Sequence, residues 1–354
     1  MAARPVSNPP NPWTRAAGGG YEVEWLGAPP EARVEVYEER ARSIITTNDS
    51  PDVPFSFGVN PYRGCQHACA YCYARPGHQH LGFGAGTDFD TKLVVKTNAV
   101  ELLREALARG RTGPAGQRDW IAMSGVTDPY QPLEASYGVT RQLLEACLEF
   151  RQPVALITKS ALVRRDADLL GRIARVAGAR VFLSIPFASE RHARALEPWA
   201  PGPRLRFEAL AALRAADVPT GVSISPVIPG LTDHAVPEIL QRAAGAGATR
   251  AFMILLRLPS EVAPVFEQRL RASFPDRADR ILGQLEQCRQ GQTSRAAFGS
   301  RLAGSGPRWR AIEDVFDLWC RRLGLERGES ERVEPLTPDL HRPPPAVQGD
   351  LFGG

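Results

Sequence analysis

From residue 55 onward the chain repeats one pattern: short apolar runs bounded by turn-forming residues alternate with longer stretches whose apolar side chains recur every three to four positions. The runs predict strands at Phe55–Asn60, Trp120–Met123, Val154–Thr158, Val181–Ile185, Thr220–Ile224 and Arg250–Leu255. The longer stretches predict helices at Asn98–Ala108 with Asn98 as N-cap, and at Ser136–Phe150, Asp166–Val176, Leu205–Ala216 and Asp233–Ala244. Lys92–Lys96 reads as extended. Strands alternating with helices imply a parallel sheet with crossover helices, an α/β architecture, and the count of six falls short of the eight units of a closed barrel.

The flanks lack this rhythm. A Pro- and Gly-rich lead is followed by a short charged helix at Arg33–Arg42, residues 259–323 are helical and expected to cover the open side or bottom, and the chain ends in a Pro-rich tail. The expected organisation is a flexible lead and short helix over 1–47, the barrel over 48–258, a helical extension over 259–325 and a disordered tail over 326–354.

Composition adds little beyond this frame. The chain has 354 residues, 43% of them hydrophobic, enough to bury a large core, and its net charge of +4 permits a polyanionic partner without demanding one. Its basic residues are 40 Arg and three Lys, so Arg clusters carry less weight and a lysine at a chemically useful place carries more. No apolar run reaches membrane-spanning length, and the N-terminus has no apolar segment of a secretory signal. The expected location is the cytoplasm, where free thiols persist.

The candidate chemistry sits in residues 61–73, Pro-Tyr-Arg-Gly-Cys-Gln-His-Ala-Cys-Ala-Tyr-Cys-Tyr, where Cys65, Cys69 and Cys72 let one short loop aim three sulfurs at one place. Thiolates suit an iron–sulfur cluster or zinc. A closed zinc site wants a second pair of ligands, and Cys147, Cys288 and Cys320 stand apart, each among apolar residues as a buried thiol would. The zinc alternative therefore needs His67, His78 or His80 as a fourth ligand; a four-iron cluster on three thiolates keeps one iron open to a chelating small molecule.

Cys65-x3-Cys69-x2-Cys72, with Tyr71 before the last cysteine, resembles the signature of radical S-adenosylmethionine (SAM) enzymes. The resemblance implies a partial (β/α)6 TIM-like barrel with, here, a C-terminal helical extension. It also implies a [4Fe-4S] cluster and S-adenosyl-L-methionine as cofactors, reductive cleavage of SAM to a 5′-deoxyadenosyl radical, and an electron-donating protein such as flavodoxin or ferredoxin.

In parallel α/β folds functional groups collect at strand ends. Thr127 and Asp128, Lys159, and Ser184 follow three of the predicted strands. A carboxylate can accept from the ammonium or ribose of SAM, a lysine can meet its carboxylate, a serine can do either and Tyr71 can pack against adenine. From Asn48 to Leu258 the chain is similar to the spore photoproduct lyase-like, or DNA repair photolyase-like, branch of that family, which suggests Tyr71, Thr127, Asp128, Lys159 and Ser184 as cofactor contacts. The lyase carries a hydrogen-donating cysteine two residues before the matching aspartate; here that place holds Val126.

Nucleic acid is the substrate this branch implies. Radical modification of a protein or small metabolite, and a non-catalytic zinc-stabilised nucleic-acid-binding module, are the competing readings. At the C-terminus Gln348-Gly349-Asp350-Leu351-Phe352 resembles the short peptide by which bacterial replication and repair proteins dock on the DNA sliding clamp.

Overall fold

A computed structural model describes residues 34–123, 125–259, 261–291 and 302–328, together with the backbone of Arg4–Val6. Six strands, β1 (Phe57–Val59), β2 (Ile121–Met123), β3 (Val154–Thr158), β4 (Ala179–Ser184), β5 (Thr220–Val227) and β6 (Arg250–Leu255), lie side by side in chain order. Each pairs in parallel with the next. Ile45–Thr47 runs antiparallel along β1 and Glu326–Arg327 runs parallel along β6, and these two outer strands do not pair with each other, so the sheet is a partial barrel.

The crossovers are α1 (Ala99–Ala108), α2 (Val139–Glu149), α3 (Ala167–Val176), α4 (Pro203–Ala215) and α5 (Val236–Gly245). Their apolar stripes, such as Leu169, Leu170 and Ile173 of α3, are buried with the strand residues that alternate toward them, such as Val181 and Leu183. After β6 come α6 (Val262–Ser273), α7 (Ala278–Cys288) and α8 (Gly306–Leu323), the last packed along α5.

The opposite face of the sheet is more open. Ile157, Phe182 and Phe252 share it, with Ile157 37% exposed and the two phenylalanine rings meeting edge to face at 5.0 Å. Nearer the strand ends the same face turns polar with Ser184 and Ser223, in register on β4 and β5.

Four expectations change. Arg33–Arg42 is not a helix: Glu35–Glu39 is a strand, with Val36 buried and Glu35 exposed, paired in parallel with Lys92–Lys96. Residue-by-residue pairing with Lys92–Lys96 outweighs the charged composition there. Asn98 does not cap α1 through its side chain; its amide clasps both backbone groups of Ala41, at 2.9 Å each. The helix expected over Ser136–Phe150 is broken at Gly138, whose φ of 63° divides a short turn (Glu134–Tyr137) from α2. The segment expected to be tail from residue 326 begins instead as an ordered strand, because Glu326–Arg327 completes hydrogen bonds left open on the edge of β6.

Candidate active site

After β1 the chain enters a second, smaller sheet, where Tyr62–Arg63 pairs antiparallel with Lys92–Lys96, and there the cysteine loop begins. Gly64 turns it with φ of 72°, and a Cβ on it would lie 2.9 Å from the Phe89 carbonyl, so the turn admits no side chain. The loop is then tied down group by group. Cys65 N donates to Phe89 O, Gln66 N to Gln131 Oε1 and Ala70 N to Leu196 O, each at 2.9 Å. The buried guanidinium of Arg75 donates twice to Cys69 O, to Ala85 O and Gly86 O, and pairs with Asp90. Arg63, beside the loop, pairs with Glu39.

Cys65 and Cys69 are buried and Cys72 partly so. Burial, with Cys65 close by, pushes the Cys72 thiol up to about 11. Three thiols on one loop, Cys65 and Cys72 packed with Ala74 and Phe89 and Cys69 set against the main core, fit an iron–sulfur cluster by donor chemistry. Among the described residues no three His, Cys, Asp or Glu side chains converge closely enough to hold one metal ion. His67 is 1% exposed, with Nδ1 3.3 Å from Asp128 Oδ2. Burial disfavours its cation, but Asp128 and Cys65 outweigh this and raise it to about 10, which makes His67 an ion-pair partner for Asp128. His78 is packed between Phe83 and Phe89.

The β2 loop reaches over the cysteine loop. Thr127 donates from Oγ1 to Gly64 O at 2.7 Å, and Gln131 donates to the same carbonyl. Asp128 is surrounded: Oδ1 accepts from Tyr130 N at 2.9 Å and Thr158 Oγ1 at 2.6 Å, and Oδ2 from Lys159 N at 2.8 Å. Burial opposes its ionisation, but His67 and these bonds hold it down at about 2.

Lys159, Ser184 and Tyr71 converge. The ammonium of Lys159 donates to Ser184 Oγ at 2.7 Å and lies 5.7 Å from the centre of the Tyr71 ring. Ser184 Oγ donates to Ser225 O at 3.2 Å, and the Tyr71 ring leans on Phe187 with centroids 6.4 Å apart. Sequence reasoning missed the groups beneath them. Glu197 accepts from the Tyr71 hydroxyl, stands 3.7 Å from Lys159 Nζ and is paired with buried Arg206, which also donates to Ser184 O at 2.8 Å. Burial alone would raise the Glu197 carboxyl; Arg206 and Lys159 keep it lowered. Glu197 caps the end of a short helix (Glu190–Leu196) between β4 and α4, a segment whose sequence signal was only its place after a strand on the cysteine side.

Residues 59–243 match the radical SAM superfamily, and the chain belongs to it. It is therefore an enzyme of the radical SAM class, which sets aside the non-catalytic zinc module. The chain is similar to an uncharacterized protein of Mycobacterium tuberculosis (strain ATCC 25618 / H37Rv), 36% identical over 73% of this chain and 76% of that one. It is also similar to the radical SAM Nalpha-GlyT isomerase of Pseudomonas phage M6, 28% identical over 75% of this chain and 52% of that one. Among solved structures, spore photoproduct lyase complexed with dinucleoside spore photoproduct shares the fold at a TM-score of 0.60, with 16% identity, covering 82% of this chain and 81% of that one. A variant of that lyase has been solved with bound AdoMet and the same dinucleoside.

Proposed function

We propose that Cys65, Cys69 and Cys72 hold a [4Fe-4S] cluster and that the chain cleaves SAM beside it to act on a nucleic acid. The observation that carries the cofactor assignment is the convergence of Lys159, Ser184 and Tyr71 at strand ends beside the cysteine loop. When bound, the cluster supplies the electron that splits SAM into methionine and a 5′-deoxyadenosyl radical. Lys159 meets the SAM carboxylate, Ser184 accepts from or donates to its polar groups, and the Tyr71 ring packs against its adenine. Thr127 and Asp128 act one step back: Thr127 holds the loop at Gly64, and Asp128 fixes the backbone of Lys159.

Nucleic acid is favoured by what stands exposed beside the cluster loop. Tyr73 is 57% exposed with its hydroxyl donating to Gly125 O at 2.8 Å, and the neighbouring Val126 is 43% exposed. A fixed aromatic ring next to an aliphatic surface is a platform on which a base can stack, worth about 1–3 kcal/mol. The dinucleoside bound by spore photoproduct lyase agrees with this choice over a protein or small metabolite.

We further assign the chemistry to 48–258, with 259–325 as its helical extension, in the cytoplasm with a flavodoxin or ferredoxin as electron donor. Gln348–Phe352 lie outside the described residues. Docking of that segment on a sliding clamp rests on its sequence, and a 341–354 peptide that fails to bind a bacterial clamp at about 1 mM ends that idea.

The test is anaerobic reconstitution with dithionite and SAM, deuterated at the 5′ position, in the presence of DNA, RNA or protein. Production of 5′-deoxyadenosine accelerated by an oligonucleotide, with deuterium exchanged between cofactor and oligonucleotide, is the expected result. Cleavage that no nucleic acid accelerates, with no deuterium exchanged, refutes the substrate. Lys159→Ala and Ser184→Ala that bind SAM as the parent does refute the cofactor placement.

A further inference from the structure

We propose that Glu197 is a positioning residue of the cofactor site: its carboxylate fixes the Lys159 ammonium and the Tyr71 ring relative to each other. The inference rests on the reading of those two residues as SAM contacts. Glu197 is fully buried and lies where the cysteine loop meets the barrel, next to Leu196, whose carbonyl accepts from Ala70 N at 2.9 Å. One of its oxygens serves both groups, accepting from the Tyr71 hydroxyl and standing 3.7 Å from Lys159 Nζ. The other is held by Arg206.

Tyr71 belongs to the loop and Lys159 to the end of β3, so nothing in the covalent chain sets their separation. Glu197 sets it. Charge supports the same role, since the buried group contains two cations, Arg206 and Lys159, and one carboxylate. Arg206 is the less exposed cation and its remaining donors go to Pro201 O and Ser184 O, which leaves the surplus positive charge on Lys159, at the site, where an anionic carboxylate of the cofactor can use it. Removing the negative charge would leave two neighbouring cations repelling across a buried space, and Lys159, on the longer leash to solvent, would turn away.

The experiment compares reconstituted parent, Glu197→Gln, Lys159→Ala and the double variant. It measures iron and sulfide content, the dissociation constant for SAM by equilibrium dialysis without reductant, and the change that SAM causes in the electron paramagnetic resonance spectrum of the reduced cluster. Glu197→Gln is expected to keep its iron, bind SAM about tenfold more weakly and show an altered spectral response, while the double variant binds no more weakly than Lys159→Ala alone. Parent-like affinity in Glu197→Gln, or effects that multiply in the double variant, overturns the proposal. Should Glu197→Gln not take up iron, Tyr71→Phe, which removes only the hydroxyl bonded to Glu197, decides: weaker SAM binding with full iron supports it and parent-like binding overturns it. Parent-like binding in Lys159→Ala would instead sink the underlying cofactor placement, so the two failures are distinguishable.

Discussion

Asp128→Asn is expected to loosen the protein before it affects any ligand. The amide keeps an acceptor at Oδ1 for Tyr130 N and Thr158 Oγ1 but presents N–H to Lys159 N, a donor, at a contact of 2.8 Å in the parent. That amide is left unpaired, at about 1–3 kcal/mol, and the ion pair with His67 is lost as well. A second route gives a similar size: the carboxyl is held down at about 2 against an ordinary 3.8, a stabilisation on the order of 2 kcal/mol. Because the folded-state value is depressed, that contribution is present above pH 3.8 and is lost as pH falls through about 2. Together these put the loss at about 2–5 kcal/mol, a large share of the 5–15 kcal/mol typical of a folded protein. Urea denaturation of parent and variant at neutral pH, followed at a tryptophan and read with iron content, measures it. An Asn variant within about 0.5 kcal/mol of the parent would refute the view that this carboxylate is a structural hub.

Changing Cys65, Cys69 or Cys72 singly to Ala should abolish both the cluster and 5′-deoxyadenosine formation, read as iron content and product; full cluster in the triple variant would move the site elsewhere. Dinucleoside spore photoproduct should not be cleanly repaired, since Val126 offers no hydrogen comparable to that of a thiol, and Val126→Cys should improve it; efficient repair by the parent contradicts this. Gly221→Ala should destabilise the fold by about 1–3 kcal/mol. Its Cβ would lie 2.3 Å from the Phe182 ring and 3.0 Å from Arg250 O, so an unchanged urea midpoint would show that the floor of the barrel is looser than it looks.

The six parallel strands were legible because each is a short apolar run at a turn, the one pattern that burial under crossover helices imposes. The cysteine loop was legible because its spacing is local. What was not legible is what tertiary contact decides. Glu35–Glu39 reads as charged and helical until Lys92–Lys96 supplies its hydrogen bonds. Glu197 and Arg206 look in sequence like any surface charges, and only the fold shows that both are buried against each other. Topology points to Asp128 and Thr127 as strand-end groups, yet the sequence could not say that their polar atoms are taken up by the protein's own groups, Thr127 by Gly64 O and Asp128 by Lys159 N, Thr158 and His67.

The way the cysteine loop is held has a consequence for how the enzyme is made. Its backbone bonds run to Phe89, Leu196, Gln131 and Arg75, all of them protein groups, so the path of its main chain is set by the protein's own contacts. Small zinc domains acquire their fold from the metal and lose it to a chelator. A cluster held on this loop is therefore expected to be removable and replaceable without unfolding the chain, read as an unchanged far-ultraviolet circular dichroism spectrum after chelation and full iron recovery on reconstitution; loss of that spectrum with the iron would refute it.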